Sequence, residues 1–433
     1  MDSIDKLNDL YEMVYDNKLD IIDVLNIMED NGLMDDICKE VAKFEFYTLD
    51  GIFQNILDDL ICKPGRKDLI NFINFLDFIH LIENELKKIY VPIVIAFPIN
   101  VLDSSKSFTS ISFENNKINI FSNEKTGFRS LNEYVNKNVY MNFDINHILA
   151  VKDRYFDKSP IMTILVEGIE YSVRIEAPKI VESIYSILRI VNMYKSGGNS
   201  PYRFQPMGST YVVYYNQPGT PKKGPYQNGY GYSFRFGFSN ILDMSMNDIE
   251  LNKIKISYLL NRLIEYTFYN KNLKSQKEIE KYGKWVNALI LFNEAYELAS
   301  IEKYDIANLL LLTILESFFN VKNKKGKKEV LKERISPIVI NRFDDTISSK
   351  VIHHTYDNRN HFVHEGKRMR NRLKYRPIND TSGLVKGLEP INYANKTYQE
   401  DGHDLYYLSI LFEIVIYCIT DCYDEIASVY ILQ

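Results

Sequence analysis

Asp305-Ile306-Ala307-Asn308-Leu309-Leu310-Leu311-Leu312-Thr313-Ile314-Leu315-Glu316-Ser317-Phe318-Phe319 is the stretch on which the fold class turns. Its apolar residues follow a helical period and predict a helix over 304–321. Leu309 to Leu315 is too short to cross a bilayer, and the other strongly apolar run, Tyr406 to Thr420, is interrupted by Glu413. The helix therefore belongs in a protein core. Outward from it the same period holds from about Ile241 to the carboxy terminus, with further helices expected over 249–269, 276–300, 344–365 and 404–431. Helices of this kind with apolar stripes make a bundle, so residues 241–433 read as all-α.

Upstream the texture changes. Short β-rich runs separated by turn residues occupy 91–97, 108–113, 117–122, 145–151, 161–166 and 169–175, with Asn115-Asn116 and Gly168 where tight turns are wanted. They predict an antiparallel sheet or sandwich with one helix, 179–193, laid against it. Within the Gly-, Pro- and Tyr-dense stretch 197–238, Asn228-Gly229-Tyr230-Gly231-Tyr232-Ser233-Phe234-Arg235-Phe236 partly echoes the aromatic strand on which RNA-recognition folds stack bases. Asn228, Ser233 and Arg235 depart from that pattern. A hairpin of strands 210–215 and 232–238 around Pro218, Gly219, Pro221 and Gly224 accounts for the same residues. Residues 1–90 are helical in pattern, clearest over 68–83, where His80 lies among apolar residues and is expected to be a core histidine. The predicted class is α+β: a helical amino-terminal segment (1–90), a β-rich middle domain (91–240) and a helical bundle (241–433).

The length of 433 residues fits two to three domains at roughly 150 residues each. With 45% apolar and 25% charged residues, collagen-like, disordered and disulfide-scaffold classes are excluded. Acidic residues number 57 against 52 basic, a formal net charge of -5, so any nucleic-acid or membrane site must be local. Cys38, Cys62, Cys418 and Cys422 form no CxxC pair and no zinc-module spacing, which reads as a reduced, cytoplasmic protein. Cys418 and Cys422, four apart on an expected helix, and Trp285 are expected in the core. Met1-Asp2-Ser3-Ile4-Asp5 lacks the basic start and apolar run of a secretory signal, so no export is expected.

Chemistry concentrates in Tyr356-Asp357-Asn358-Arg359-Asn360-His361-Phe362-Val363-His364-Glu365-Gly366. Here Arg359-Asn360-x-x-x-His364 resembles the RNxxxH motif of HEPN ribonucleases, and Asp305 to Phe319 resembles the core helix of that superfamily, particularly its ApeA-like antiphage group. The resemblance covers roughly the last third of the chain. RNA can be cut without a metal when the neighbouring 2′-hydroxyl attacks the phosphate, given one group that moves protons and another that neutralises the phosphorane. Histidine as a residue type titrates near neutrality, which suits His364 to the first task, and a planar, permanently charged fork suits Arg359 to the second. Gly366 is expected to cap the helix. On a regular helix Asn360 and His364 share a face, whereas Arg359 points about 140° away from His364.

The resemblance implies a metal-independent, cofactor-free endoribonuclease that leaves 2′,3′-cyclic phosphate and 5′-hydroxyl ends, with tRNA the favoured target. It implies a homodimer in which two motifs meet across a composite cleft, with Arg359, Asn360 and His364 catalytic. Glu316 would either orient Arg359 or be a structural buried carboxylate. Lys322, Lys324, Lys325, Lys327 and Lys328, with Lys367, Arg368, Arg370 and Arg372, are expected to flank the cleft and hold the RNA backbone. An uncontrolled ribonuclease poisons its own cell, so the preceding domains are expected to restrain it until a phage-derived trigger arrives, as in bacterial abortive infection. No membrane partner is expected. The alternative is a non-catalytic module of the same superfamily that dimerises and binds RNA or protein.

A metal site is the competing chemistry. His354, Asp357, His361 and His364 fall at offsets of three, seven and ten and line one helical face. At about 1.5 Å rise per residue the outer pair stand roughly 15 Å apart, whereas ligands lie within about 2.3 Å of an ion. At most His361 with His364, or Asp357 with His361, could share an ion completed by residues from elsewhere. His353, His147 and His403 have no evident partners in the sequence.

Overall fold

The computed structural model describes residues 3–17, 21–41, 60, 75–101, 108–113, 117–139, 159–196, 212–215, 241–242, 245–268, 275–301, 303–321, 326–343, 345–366, 369, 375–378, 391–393, 396–400 and 404–432. The chain opens with α1 (Ser3–Asn17), α2 (Ile21–Asp30), α3 (Leu33–Val41) and α4 (Phe75–Ile89). There follow β1 (Tyr90–Pro98), β2 (Asn100–Val101), β3 (Ser110–Ser112), β4 (Ile118–Phe121), α5 (Lys125–Asn138), β5 (Ile161–Ile169), α6 (Glu170–Ser196), β6 (Val212–Tyr215) and β7 (Ile241–Leu242). The remainder is α7 (Met246–Leu251), α8 (Lys253–Phe268), α9 (Gln276–Ser300), α10 (Tyr304–Phe318), α11 (Lys327–Val339), α12 (Asp345–Glu365), β8 (Tyr375–Ile378), β9 (Ile391–Tyr393), β10 (Lys396–Glu400), α13 (Asp404–Thr420) and α14 (Tyr423–Tyr430). The protein is mixed α+β, and no helix among the described residues is long and apolar enough to cross a membrane.

β1 lies between β5 and β6 in an antiparallel sheet of order β3-β4-β5-β1-β6. Ile93, Ile95 and Phe97 join the apolar cluster that contains α6, while Val94 and Ala96 join the one that contains α5. Both faces of the strand are therefore covered, which is why 91–97 reads as an unbroken apolar run instead of an alternating one. The sequence led us to expect one helix on this sheet; α5 is a second, burying Phe128, Leu131 and Val135 from an otherwise polar stretch.

Two further expectations are corrected here. Residues 169–175 are not a strand, because β5 ends at Ile169 and α6 begins at Glu170. Burial at Val173, Ala177, Ile180, Val181 and Ile184 follows the helical spacing, and this outlasts the short alternation at its start. The helix runs through Pro178 and extends the expected 179–193 at both ends. Gly168 is not a turn residue but pairs with Val91 in the sheet. A Cβ there would lie 2.8 Å from Val173 Cγ2, so glycine lets the strand run straight into the helix.

Gly127 gives a test in which two effects have opposite signs. Alanine is the better helix former by about 1 kcal/mol, yet a Cβ at this buried position would stand 2.3 Å from Ser122 Oγ and 2.4 Å from the Ser122 carbonyl oxygen. Backbone cannot move aside as a flexible side chain does. Gly127→Ala should therefore lower stability in chemical denaturation, by about 1–3 kcal/mol. An unchanged or raised midpoint would mean that the turn into α5 opens freely.

α1 to α4 bury Leu7, Leu10, Val24, Met28, Ile37, Phe78 and Ile82 in a cluster of their own. His80 is not part of it. The imidazole lies on the exposed side of α4 at 3.4 Å from Glu83, since the core face is taken by Phe78, Ile79, Ile82 and Leu86. Farther on, α10 packs against α9, α12 and α13, and α12 also packs on α11 and α13. Trp285 is fully buried, its Nε1 donating to the Ile419 carbonyl at 3.1 Å, and Cys418 and Cys422 are buried as expected.

The expected helices 276–300 and 344–365 match α9 and α12 closely. Residues 249–269 form two helices, α7 opened by a Ser245–Asp248 capping box and then α8. The 304–321 helix ends at Phe318, where Asn320 takes a positive φ of 50° and the Val321 N–H closes on the Glu316 carbonyl at 2.9 Å. Residues 404–431 divide into α13 and α14 at Asp421-Cys422. α11 and the three-stranded sheet of order β8-β10-β9 were not foreseen, because the sequence between the long helices shows charge and short runs instead of a sustained period. The expected strands 145–151 and 232–238, the stretch 228–236 and the turn at 115–116 lie outside the described residues.

Candidate active site

α12 carries the Arg359-Asn360-x-x-x-His364 motif in its last two turns. Ser348, Val351, Ile352, Thr355 and Tyr356 form its buried stripe, and Arg359 continues that stripe half-buried. Asn360 and His364, four apart, are exposed on the other side. Neither makes a hydrogen bond or ion pair among the described residues. Gly366 ends the helix with a φ of +64°, its N–H bonded to the Phe362 carbonyl at 3.2 Å. This is the left-handed cap that the sequence pointed to. As α12 is regular through Glu365, Arg359 and His364 of one chain diverge by about 140°.

The N-terminal part of α10 anchors this helix. Asn308, wholly buried, donates from Nδ2 to the Thr355 carbonyl at 2.9 Å. The Asp305 carboxylate accepts the Met369 N–H, tying the chain beyond Gly366 back to the first turn of α10. Glu316, near the other end of α10, accepts the Tyr356 hydroxyl on Oε1 at 2.7 Å and lies 3.4 Å from Lys327 Nζ through Oε2. Glu316, for which the sequence left open whether it orients Arg359 or is a structural buried carboxylate, is half-buried and engaged by a phenol and an amine. Neither partner was foreseen, although Tyr356 standing three residues before Arg359 on an apolar stripe is a signal that could have found the first.

The basic residues divide. Lys327 and Lys328 open α11, with Lys328 Nζ 3.4 Å from Asp357 Oδ1 and 3.0 Å from His353 Nδ1. His353, read from the sequence as partnerless, also places Nε2 at 3.1 Å from Asp357 Oδ2. Lys322, Lys324, Lys325, Lys367, Arg368, Arg370 and Arg372 lie outside the described residues, as do His147 and His403.

The members of the histidine stripe face different neighbours. His354 stacks on Tyr407 with ring centroids 4.1 Å apart, Asp357 is held by Lys328 and His353, and His361 lies 3.1 Å from Glu365. Among the described residues no three His, Cys, Asp or Glu side chains are grouped so as to hold a metal ion.

Comparison with known protein families, with curated proteins and with solved structures finds no match. The functional reading accordingly stands on the residues of this chain.

Proposed function

We propose that the protein is a metal-independent endoribonuclease of the HEPN type. The observation that carries the reading is the end of α12: Asn360 and His364 exposed together without a partner among the described residues, and Arg359 half-buried on the same last two turns of the helix. An imidazole open to solvent can take the proton of a ribose 2′-hydroxyl and return one to the leaving 5′-oxygen. A guanidinium fork neutralises the phosphorane that forms between those steps. Bond for bond, the 2′-oxygen joins phosphorus as the 5′-oxygen leaves, which gives a 2′,3′-cyclic phosphate and a 5′-hydroxyl.

Within one chain the two groups face apart, so the reading requires a homodimer in which Arg359 of one protomer and His364 of its partner share a cleft. Lys327, 3.4 Å from Glu316 on α10, and Lys328, 3.4 Å from Asp357 on α12, are the described lysines of the expected basic set, and each would meet the RNA backbone on leaving its carboxylate. The favoured substrate is tRNA, and the favoured setting is antiphage defence in the cytoplasm. Both rest on the motif resemblance.

The test is incubation of total cellular RNA with the purified protein in excess EDTA, beside an Arg359→Ala/His364→Ala double variant, with fragment ends mapped. Discrete cuts by the wild type alone, ending in cyclic phosphate, are expected. Cleavage that needed added metal would move the chemistry to the histidine stripe. Matching behaviour of the two proteins would leave a dimerising module that binds RNA or protein without cutting it.

A further inference from the structure

Lys328, the second residue of α11, is held at its tip by α12: Nζ lies 3.0 Å from His353 Nδ1 and 3.4 Å from Asp357 Oδ1. His353 closes the ring from its other nitrogen, with Nε2 standing 3.1 Å from Asp357 Oδ2. All three side chains keep contact with solvent, and Asp357 is two residues before Arg359 of the motif. We propose that Lys328, His353 and Asp357 form a proton-gated phosphate-binding subsite for RNA: a protonated His353 takes Asp357 to itself and releases Lys328 to the RNA backbone. The subsite rests on the ribonuclease reading and sets when one of its lysines is free to act.

The inventory of donors decides where the proton sits. An ammonium has three donors and no acceptor, so His353 Nδ1 meets Lys328 as a bare nitrogen. The ring proton is then on Nε2, where it donates to Asp357. In this form one cation faces one carboxylate beside an uncharged ring, and Lys328 reaches a phosphate only by leaving Asp357. A second proton, on Nδ1, sets donor against donor and like charge against like across the 3.0 Å contact. Lys328 is expelled, and Asp357 loses no counter-ion because the imidazolium is already in place on Oδ2. The cluster gains one net positive charge on the flank of the motif helix. Lys327 has no such exchange, since the other partner of its carboxylate Glu316 is the Tyr356 hydroxyl at 2.7 Å, which brings no positive charge. Around His353 stand the Lys327–Glu316 pair of α11 and α10, the Glu329–Lys332 pair along α11, and His354. The His354 ring is 6.2 Å from that of His353 and stacks on Tyr407 of α13.

The probe is a labelled, fully 2′-O-methylated RNA strand, which lacks the attacking hydroxyl and so reports binding alone. Anisotropy titrations compare wild type, Lys328→Met, His353→Gln and the double variant at about pH 5.5 and about pH 8, either side of the range in which histidine as a residue type changes charge. Loss of Lys328 is expected to weaken binding about 2–5-fold at the lower pH, the ordinary weight of one exposed ion pair, and hardly at all at the higher. The slope of log affinity against log salt should differ by about 0.7 between wild type and Lys328→Met, at the lower pH only. In the His353→Gln background the amide bridges Lys328 and Asp357 but takes no proton, so the cost of losing Lys328 should be equal at both pH values. Comparing costs instead of affinities cancels the other groups that titrate, His354, His361 and His364 among them. An equal cost at both pH values in the wild-type background, or a pH-dependent cost that survives His353→Gln, overturns the subsite and leaves the ribonuclease reading intact. A strand that binds at neither pH overturns the subsite as well. Failure of the ribonuclease reading shows itself separately, as wild type and Arg359→Ala/His364→Ala acting alike on RNA with free 2′-hydroxyls.

Discussion

His364→Ala is expected to lower the rate of RNA cleavage by about 10²–10⁴-fold, the usual weight of a positioned general acid–base group, with RNA affinity and melting temperature nearly unchanged. The prediction is that specific because the side chain is exposed and has no partner among the described residues. Truncating it removes little packing and orphans nothing. Gly366 still closes the helix, and Lys327 and Lys328, which the proposed function assigns to the RNA backbone, are untouched. His361→Ala is the matched control, since His361 is equally exposed but turned to Glu365 at 3.1 Å. It should cut at close to the wild-type rate. Single-turnover cleavage together with fluorescence-anisotropy titration of labelled RNA separates the outcomes. A parallel fall in affinity and rate would make His364 a binding residue, and an undiminished rate would end its candidacy as the proton carrier.

The motif could be read from sequence because a helix end, its glycine cap and the spacing of three side chains are all local. α9 and α12 could be read almost to the residue for the same reason: each carries a sustained period, and α9 is opened by a capping box from Ser275 to Glu278. α11 was missed because it starts in the lysine-rich segment, and its buried Leu331, Ile335, Ile338 and Val339 surround Pro337, which reads as a breaker. β8 to β10 are three to five residues long and carry no apolar alternation strong enough to announce a sheet. Gly168 and the start of α6 misled because a strand passing directly into a helix leaves no punctuation between two periods. The Tyr356–Glu316 bond depends on how α10 crosses α12, which no local pattern encodes. The same holds for Lys328 reaching His353 and Asp357.

The second large effect is expected far from the motif, where α6 meets α9. Arg189, 4% exposed, donates from one terminal nitrogen to Asn293 Oδ1 and places the other 3.5 Å from Glu297 Oε1, lying 4.5 Å over the Tyr296 ring. Asn293 Nδ2 in turn reaches Glu182 at 3.4 Å and Glu297 at 3.3 Å. Burial is the main reason that the Glu182 carboxyl is pushed from 4.5 up to about 7; Glu294 and Glu297 add to it, and the Asn293 hydrogen bond and Arg189 oppose it. The folded protein therefore binds this proton more tightly than the unfolded chain. The resulting stabilisation is fully present below about pH 4.5 and is lost as pH rises through about 7. Its size is about 2–3 kcal/mol, allowing for the residual solvent contact of the carboxyl. Glu182→Gln keeps the neutral form at every pH, so it should be more stable than wild type at pH 8, with the gap closing toward pH 5. Glu413, also raised by burial, follows the same trend in both proteins, so the difference between them isolates Glu182. Arg189→Met should do the opposite and cost about 3–5 kcal/mol at pH 8, because the buried cation that faces Glu182 and Glu297 is gone. Denaturant titrations of the three proteins from pH 5 to pH 8 decide it. Parallel curves for wild type and Glu182→Gln would mean that Glu182 is already ionised where it lies, and that the contact between the sheet's long helix and α9 is insensitive to pH.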